Sequence, residues 1–475
     1  MKERNQLFFV AIALSLGFFA CNSGPEVIDK IPTNPNRYDP SQPTAVTRVI
    51  PDYGIIDDNF IVEGNFPGKL EDMKVYFGTR KAVLLSTDGK SIVGLVPKQS
   101  DGYNDVSVVV GKDSLSPDGL VFKYSQSRSV KTIAGRLGTD LWMADEEYRN
   151  VDINAVTFGE VHYVGTVKGR NDDIVVMVET GWGNRVFIMS MDDGLLQKVS
   201  SPGNAGAPAV PSTRDKFYAV KMRGDWDGSD HAVYVFTPEE SWAGGPTGIV
   251  ITNADVNDTH GASSTFGGND DILYWLDNRG RIAEIDLANK SYKIFSAADQ
   301  MPPNINPDNY GGEIKPADGL ARNLPNNFGT WQDSYITYSH YHQCFFASFA
   351  VQHAIYRLDK NADGSWTSTL YAGNNGSGFT PGNRLSDAQF NQPHGMVVNS
   401  LGEIFVVNRN GNYISKIFGD AVELVAGKPG VNNPLANGEP LESVFNNPRN
   451  LAIDFEGNYY VAGGNDRTVR KLSIE

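Results

Sequence analysis

The 475-residue chain has only two cysteines, Cys21 and Cys344, so a disulfide framework cannot hold the fold. Cys344 lies in the apolar run Gln343-Cys344-Phe345-Phe346-Ala347 and reads as a buried structural thiol rather than a nucleophile. Basic residues form no cluster, and the formal charge is −15. Phosphate backbones need a basic face, so no nucleic acid partner is expected. Strongly anionic polysaccharides are disfavoured less firmly, since a local Arg patch could serve them. Long apolar runs are missing apart from Leu7–Ala20. That run falls short of the roughly 20 residues a spanning helix needs. Also missing are HxxxH, a Cys/His cluster with metal spacing, and the phosphate-binding GxxxxGK[ST]. Helical periodicity is nearly absent.

What is present is β-structure. Short alternating or apolar runs, broken by Gly, Asn, Asp and Pro, recur along the chain and predict an all-β protein. After the N-terminal segments about 430 residues remain, too many for one core, so two or more domains are expected.

The N-terminus begins Met1-Lys2-Glu3-Arg4, continues through Leu7–Ala20 and closes with Gly17-Phe18-Phe19-Ala20-Cys21. This resembles a bacterial lipoprotein signal, with Phe18 where the family usually carries Leu. The resemblance implies cleavage after residue 20, lipidation of Cys21 and a membrane anchor in a cell envelope, most naturally the outer membrane. One acyl chain anchors weakly, and a diacyl or triacyl Cys meets the need for more. The competing reading is an ordinary secretory signal with a chance Cys. Residues 21–43, rich in Pro, Asn and Ser, read as a flexible tether.

Residues 44–126 carry Val49-Ile50-Pro51-Asp52-Tyr53-Gly54, Phe60-Ile61-Val62-Glu63-Gly64-Asn65-Phe66, Val75-Tyr76-Phe77-Gly78 and the alternating Val106-Ser107-Val108-Val109-Val110. This order of motifs resembles the IPT/TIG family of immunoglobulin-like domains. The resemblance implies a β-sandwich acting as spacer or interaction module, without catalytic residues.

Residues 127–475 contain a repeat. Phe390-Asn391-Gln392-Pro393-His394-Gly395-Met396 is echoed 55 residues later by Phe445-Asn446-Asn447-Pro448-Arg449-Asn450-Leu451. Ile404-Phe405-Val406-Val407 and Tyr459-Tyr460-Val461-Ala462 keep the same offset. A fixed period built from short strands points to propeller blades. Pro393-His394-Gly395 and the Ala-Gly pairs at Ala134-Gly135, Ala372-Gly373 and Ala426-Gly427 resemble NHL-repeat β-propellers; Asn450 departs from the Pro-x-Gly opening. Paired strands at 173–180 with 185–191, 217–222 with 232–236, 272–276 with 282–287, and 344–350 with 354–358 sketch four earlier blades. The expectation is a six-bladed propeller, with 200–212 and 301–327 as insertions on one face. The last blade stops without an outer strand. Val130–Gly135 is an orphan outer strand, and pairing the two would close the ring and remove the edges.

Propellers bind ligands where loops before the inner strands converge. The NHL resemblance implies that His394 and Arg449 lie near that mouth; the alternative is local capping of turns. Trp182, Trp226, Trp242, Tyr310 and Trp331 sit in or beside Gly- or Pro-rich loops, where aromatic faces suit stacking on sugar rings. They could equally plug gaps between blades. Asp359, Asn361 and Asp363 match the first half of a calcium loop, but Leu370 stands where its bidentate Glu belongs, which favours a plain turn. No other metal site is expected. The architecture resembles surface lipoproteins of glycan-scavenging Gram-negative bacteria. The reading that follows is a non-catalytic, monomeric envelope lipoprotein that binds a glycan through its propeller. The alternatives are a scaffold for an envelope protein partner, or a metal-assisted lyase or hydrolase with at least two His and a carboxylate at the channel mouth.

Overall fold

The computed structural model describes residues 37–99, 102–126, 128–137, 149–169, 173–179, 184–191, 193–199, 203–222, 230–256, 263–297, 300–301, 305–317, 324–325 and 334–474. Cys21, the leader and most of the tether lie outside them. The chain divides into two compact units, with the break between Ser127 and Arg128.

The N-terminal unit is two β-sheets on one core. One sheet runs Ala45–Ile50, Asn59–Asn65, Ser91–Leu95, Val83–Thr87. The other runs Tyr53–Gly54, Val121–Tyr124, Gly102–Val110, Met73–Phe77, Arg80–Lys81, with Asp113–Leu115 on the flank of Gly102–Val110. Successive side chains alternate between faces, so Phe60, Val62 and Ile92 meet Val75, Phe77, Val106 and Phe122 between the sheets. Phe77 packs edge-on to both Phe60 and Phe122, with centroids 5.0 Å apart in each pair. Each such buried ring contributes about 2 kcal/mol.

The C-terminal unit is a succession of small antiparallel sheets. The first contains Val161–Val167, Asp173–Glu179, Asn184–Ser190 and Leu195–Val199. The second contains Phe217–Val220, His231–Phe236 and Gly244–Ile251. The third contains Ser263–Phe266, Ile272–Leu276, Ile282–Asp286 and Ser291–Ser296. The fourth contains Ser334–Ser339, Cys344–Phe349, Ala354–Lys360 and Trp366–Gly373. The fifth contains Pro393–Val398, Ile404–Asn408, Tyr413–Phe418 and Ala421–Gly427. The sixth contains Asn450–Ile453, Tyr459–Ala462, Val469–Ile474 and, as its outermost strand, Arg128–Ala134. All four strand pairs sketched from the sequence occur, in antiparallel register. The orphan strand pairs with the last one, Arg128 opposite Ile474 and Thr132 opposite Arg470, so the two ends of the unit share one sheet.

The inner strands follow one another round a ring. Asn450–Ile453 packs beside both Val161–Val167 and Pro393–Val398, and Ser334–Ser339 beside both Ser263–Phe266 and Pro393–Val398. The result is a propeller-like fold.

Two segments read as insertions prove to be structural. Ala205 and Ala209 bridge to Lys221 and Tyr218, which adds an inner segment to the second sheet. Ala205, Ala207 and Ala209 are buried and join the hydrophobic clusters packed against the second sheet. Tyr310–Pro316 pairs in parallel with Ser291–Ser296 and with Trp366–Gly373, joining the third and fourth sheets.

The Ala-Gly pairs have one physical cause. Ala134, Ala372 and Ala426 are buried, and Gly135, Gly373 and Gly427 follow at φ +84°, +80° and +91°. A Cβ at these glycines would stand 2.5, 2.4 and 2.5 Å from the carbonyl oxygens of Arg467, His353 and Asn412. Only glycine fits both the left-handed backbone and the close approach.

Buried Asp–Arg pairs latch two of the turns between middle strands. Asp277 and Arg281 are 2.6 Å apart, and Asp466 and Arg470 are 2.9 Å apart, all with almost no exposure. Arg281 donates to the Val256 carbonyl. Arg470 donates to the carbonyls of Ala436 and Val444 at 3.0 and 2.9 Å and lies over the Phe445 ring. Each Arg thereby ties the loop that leads to an inner strand onto the sheet that this strand belongs to.

Candidate functional site

The residue before an inner strand projects from a loop end rather than from the sheet face. Glu160 precedes Val161–Val167, and Arg449 precedes Asn450–Ile453. Because those two inner strands are ring neighbours, the side chains meet. Arg449 Nη2 donates to Glu160 Oε2 at 2.9 Å, and His162 Nε2 lies 3.2 Å from the same oxygen. Arg449 and His162 are buried, whereas the Glu160 side chain keeps about a third of its surface. Glu160 is the outward end of this group.

His394 lies deeper. It has no exposure, and its Nδ1 sits 2.5 Å from the Arg449 carbonyl, which therefore accepts a proton held on Nδ1. The Ser348 hydroxyl donates to the His394 carbonyl at 2.6 Å. The imidazole is flanked by Tyr163 and Tyr335, with ring centroids 6.5 and 6.4 Å away. Asn450 accepts from the Val164 N–H at 3.0 Å. Burial pushes the Tyr335 phenol up to about 12, so it stays protonated. His394 and the two tyrosines thus form a buried aromatic group. Among the described residues of this group, the acid–base ion pair is Glu160–Arg449, at its outer end.

His394 and Arg449, identified from the repeat, thus come together, although through a backbone carbonyl and not as two side chains facing a ligand. The sequence pattern does not reveal Glu160, Tyr163, Tyr335 or Asn450 as their neighbours. Glu160 carries one usable signal, its place just before an inner strand, matching Arg449. The tyrosines carry none, because alternation does not say which inward residues reach the axis.

The remaining candidates are dispersed. Trp242 is a core residue, 8% exposed, its ring stacked on Phe217 at 6.0 Å. Tyr310 is half-buried at the start of Tyr310–Pro316. Trp182, Trp226 and Trp331 lie outside the described residues.

The calcium-like loop is a hairpin turn. Asp359 is held by Arg357, whose Nε and Nη2 reach it at 2.8 and 2.7 Å. Asn361 donates to Ser365 and Thr367, and Asp363 accepts from Ser365. These bonds engage all three side chains within the turn itself. Among the described residues no group of three or more His, Cys, Asp or Glu is placed to hold a metal ion. Burial raises the Cys344 thiol to about 11, which suits packing and not nucleophilic attack. No helix among the described residues is long and apolar enough to cross a membrane.

No protein-family model matches the chain, and no curated protein matches it. Solved structures share its fold. A protein of unknown function from Bacteroides thetaiotaomicron VPI-5482 is 24% identical, with a TM-score of 0.71 over 92% of this chain and 100% of that one. A putative phosphatase from the same organism is 16% identical, with a TM-score of 0.56 over 94% and 99%. An auxiliary nutrient binding protein, also from that organism, is 15% identical, with a TM-score of 0.55 over 92% and 99%.

Proposed function

We propose that this chain is a non-catalytic envelope lipoprotein that captures a glycan at the mouth of a six-bladed, NHL-like propeller. Its N-terminal sandwich is an IPT/TIG-type module, and lipidated Cys21 anchors it, most naturally to the outer membrane. The observation that carries the reading is the state of the mouth. Arg449 neutralises Glu160 at 2.9 Å, and His162 is held to the same carboxylate. His394 is buried against a backbone carbonyl. A carboxylate fixed by a cation is a poor proton acceptor but a good partner for sugar hydroxyls. The likeness in fold to an auxiliary nutrient binding protein along nearly the whole chain agrees with capture. A hydrolase would need an acid and a base whose proton affinities are set apart.

The test is native affinity electrophoresis of residues 22–475 against neutral and acidic polysaccharides, with reducing ends assayed in parallel. Retardation without new reducing ends, weakened by Glu160→Gln, is the expected result. New reducing ends would replace capture by hydrolysis or elimination. Retardation by none of them, from a chain with native melting, would favour a scaffold for an envelope protein. Radiolabelled palmitate incorporation, abolished by Cys21→Ala, tests the anchor.

A further inference from the structure

The outward face of the larger sheet in the N-terminal unit carries a row that nothing above uses. Lys123 sits in register with Tyr53 on one neighbouring strand and with Tyr103 on the other. Phe122 and Tyr124 alternate into the core, so Lys123 points away from it, and its two cross-strand partners share that face. Tyr103 is 74% and Tyr53 48% exposed, so both rings are open to a partner. Adjacent strands lie about 4.8 Å apart, so the two tyrosines are about 10 Å apart with the lysine midway. The row Tyr, Lys, Tyr therefore advances by about one pyranose unit at each step.

The charge of this face opposes that of the chain. Lys74 and Lys81 share it with Lys123, since Lys74 pairs with Val109 and Lys81 with Tyr76, both outward positions. Asp105 is the acid on the same face of these strands. No ion pair or hydrogen bond of the Lys123 side chain occurs among the described residues. A basic, aromatic face on a chain of net charge −15 selects an anionic partner with apolar ring faces.

We infer that the N-terminal sandwich is a second glycan-binding surface, specific for a linear polyuronate, and not only a spacer. Sugar rings stack on Tyr53 and Tyr103, and the carboxylate of the intervening uronate lies against Lys123. The row crosses three adjacent strands in register, which suits an extended chain. The inference goes beyond the propeller site and does not depend on it.

The experiment uses residues 22–475 in affinity electrophoresis through gels containing polygalacturonate or alginate, with mannan as the neutral control. Retardation by a polyuronate is expected, about tenfold weaker in Tyr53→Ala/Tyr103→Ala, where two stacking contacts are lost. Lys123→Gln should weaken binding and flatten its dependence on salt. All three positions are exposed, and melting curves check that the variants are folded. Absence of retardation by both polyuronates overturns the inference, and so does retardation that the tyrosine pair leaves unchanged. Sedimentation with vesicles of anionic phospholipid, without retardation by polyuronate, would assign the face to a membrane and also overturn it. If Glu160→Gln abolishes binding that the tyrosine pair does not affect, the propeller site stands and the sandwich surface falls. If the tyrosine pair abolishes binding that Glu160→Gln does not affect, the sandwich surface stands and the propeller is not the polyuronate site.

Discussion

Removing the Arg470 guanidinium should separate the contribution of the buried latch from that of the core. In the native protein Arg470 pairs with Asp466 at 2.9 Å and donates to the carbonyls of Ala436 and Val444. Arg470→Met keeps most of the volume and deletes the charge. Breaking a buried ion pair by removing one partner costs about 3–5 kcal/mol, because the other charge is left without compensation. About 4 kcal/mol is therefore expected at pH 8. Burial pushes the Asp466 carboxyl up to about 7, against the pull of Arg470 and of the Asn446 N–H. A carboxyl raised in the fold holds a proton that the unfolded chain has already released. Stability from this group is thus full below about pH 4 and lost as the pH rises through its folded value. Without Arg470 that loss deepens. At pH 5 the neutral acid needs no cation, and the deficit should shrink to about 2 kcal/mol, the cost of the orphaned carbonyls. Urea unfolding followed by tryptophan fluorescence at pH 5 and pH 8, on variant and parent, measures both deficits. A deficit below about 1 kcal/mol at pH 8, or one equal at the two pH values, would refute the reasoning.

Deleting residues 128–136 removes the strand paired with Val469–Ile474 and exposes its edge; the C-terminal unit should lose its cooperative melting transition by calorimetry. Gly427→Ala forces a Cβ to within 2.5 Å of the Asn412 carbonyl at φ +91°, and a loss of about 2 kcal/mol is expected from denaturant titration. Gly430→Ala, also at positive φ but with open space around it, should cost less by the same measurement. His353 is pushed below its ordinary value by burial, and its Nδ1 accepts the Gln392 N–H at 3.1 Å. The unfolded chain takes up that proton first, so this contribution is present above about pH 6.5 and lost as the pH falls through the folded value. Proton NMR of the imidazole should show titration below about pH 6.5, and a midpoint at or above that value would contradict the burial.

Much of the architecture was legible because strands advertise themselves locally. Alternation in Val106–Val110 and the apolar runs at 344–350 and 404–407 depend only on a two-residue period. The 55-residue echo of Phe390–Met396 at Phe445–Leu451 showed that one supersecondary unit recurs. Closure by Val130–Gly135 followed from counting strands, since a sheet that lacks its edge strand and an edge strand that lacks a sheet solve one problem. The Ala-Gly pairs marked places where backbone approaches backbone, although the carbonyls they approach became visible only in the fold. Two segments misled. The Ala- and Pro-rich stretch at 203–210 and the segment at 305–317 look like loops because small or polar residues weaken the periodic signal. One proves to be an inner segment and the other a connector between sheets.

The candidate site was less legible, for a physical reason. The sequence by itself determined the all-β class, the two-part organisation, the repeat, and that His394 and Arg449 precede or open inner strands. Tertiary structure alone decided that Glu160, 289 residues before Arg449, would be its partner, and that His394 would be buried between two tyrosines. It also decided that Trp242 would pack on Phe217, and that Tyr53, Lys123 and Tyr103 would form one row. Period and propensity act over a few residues along the chain. Proximity across a closed ring or a sandwich is set by strand order and register, which bring together residues that no local pattern relates.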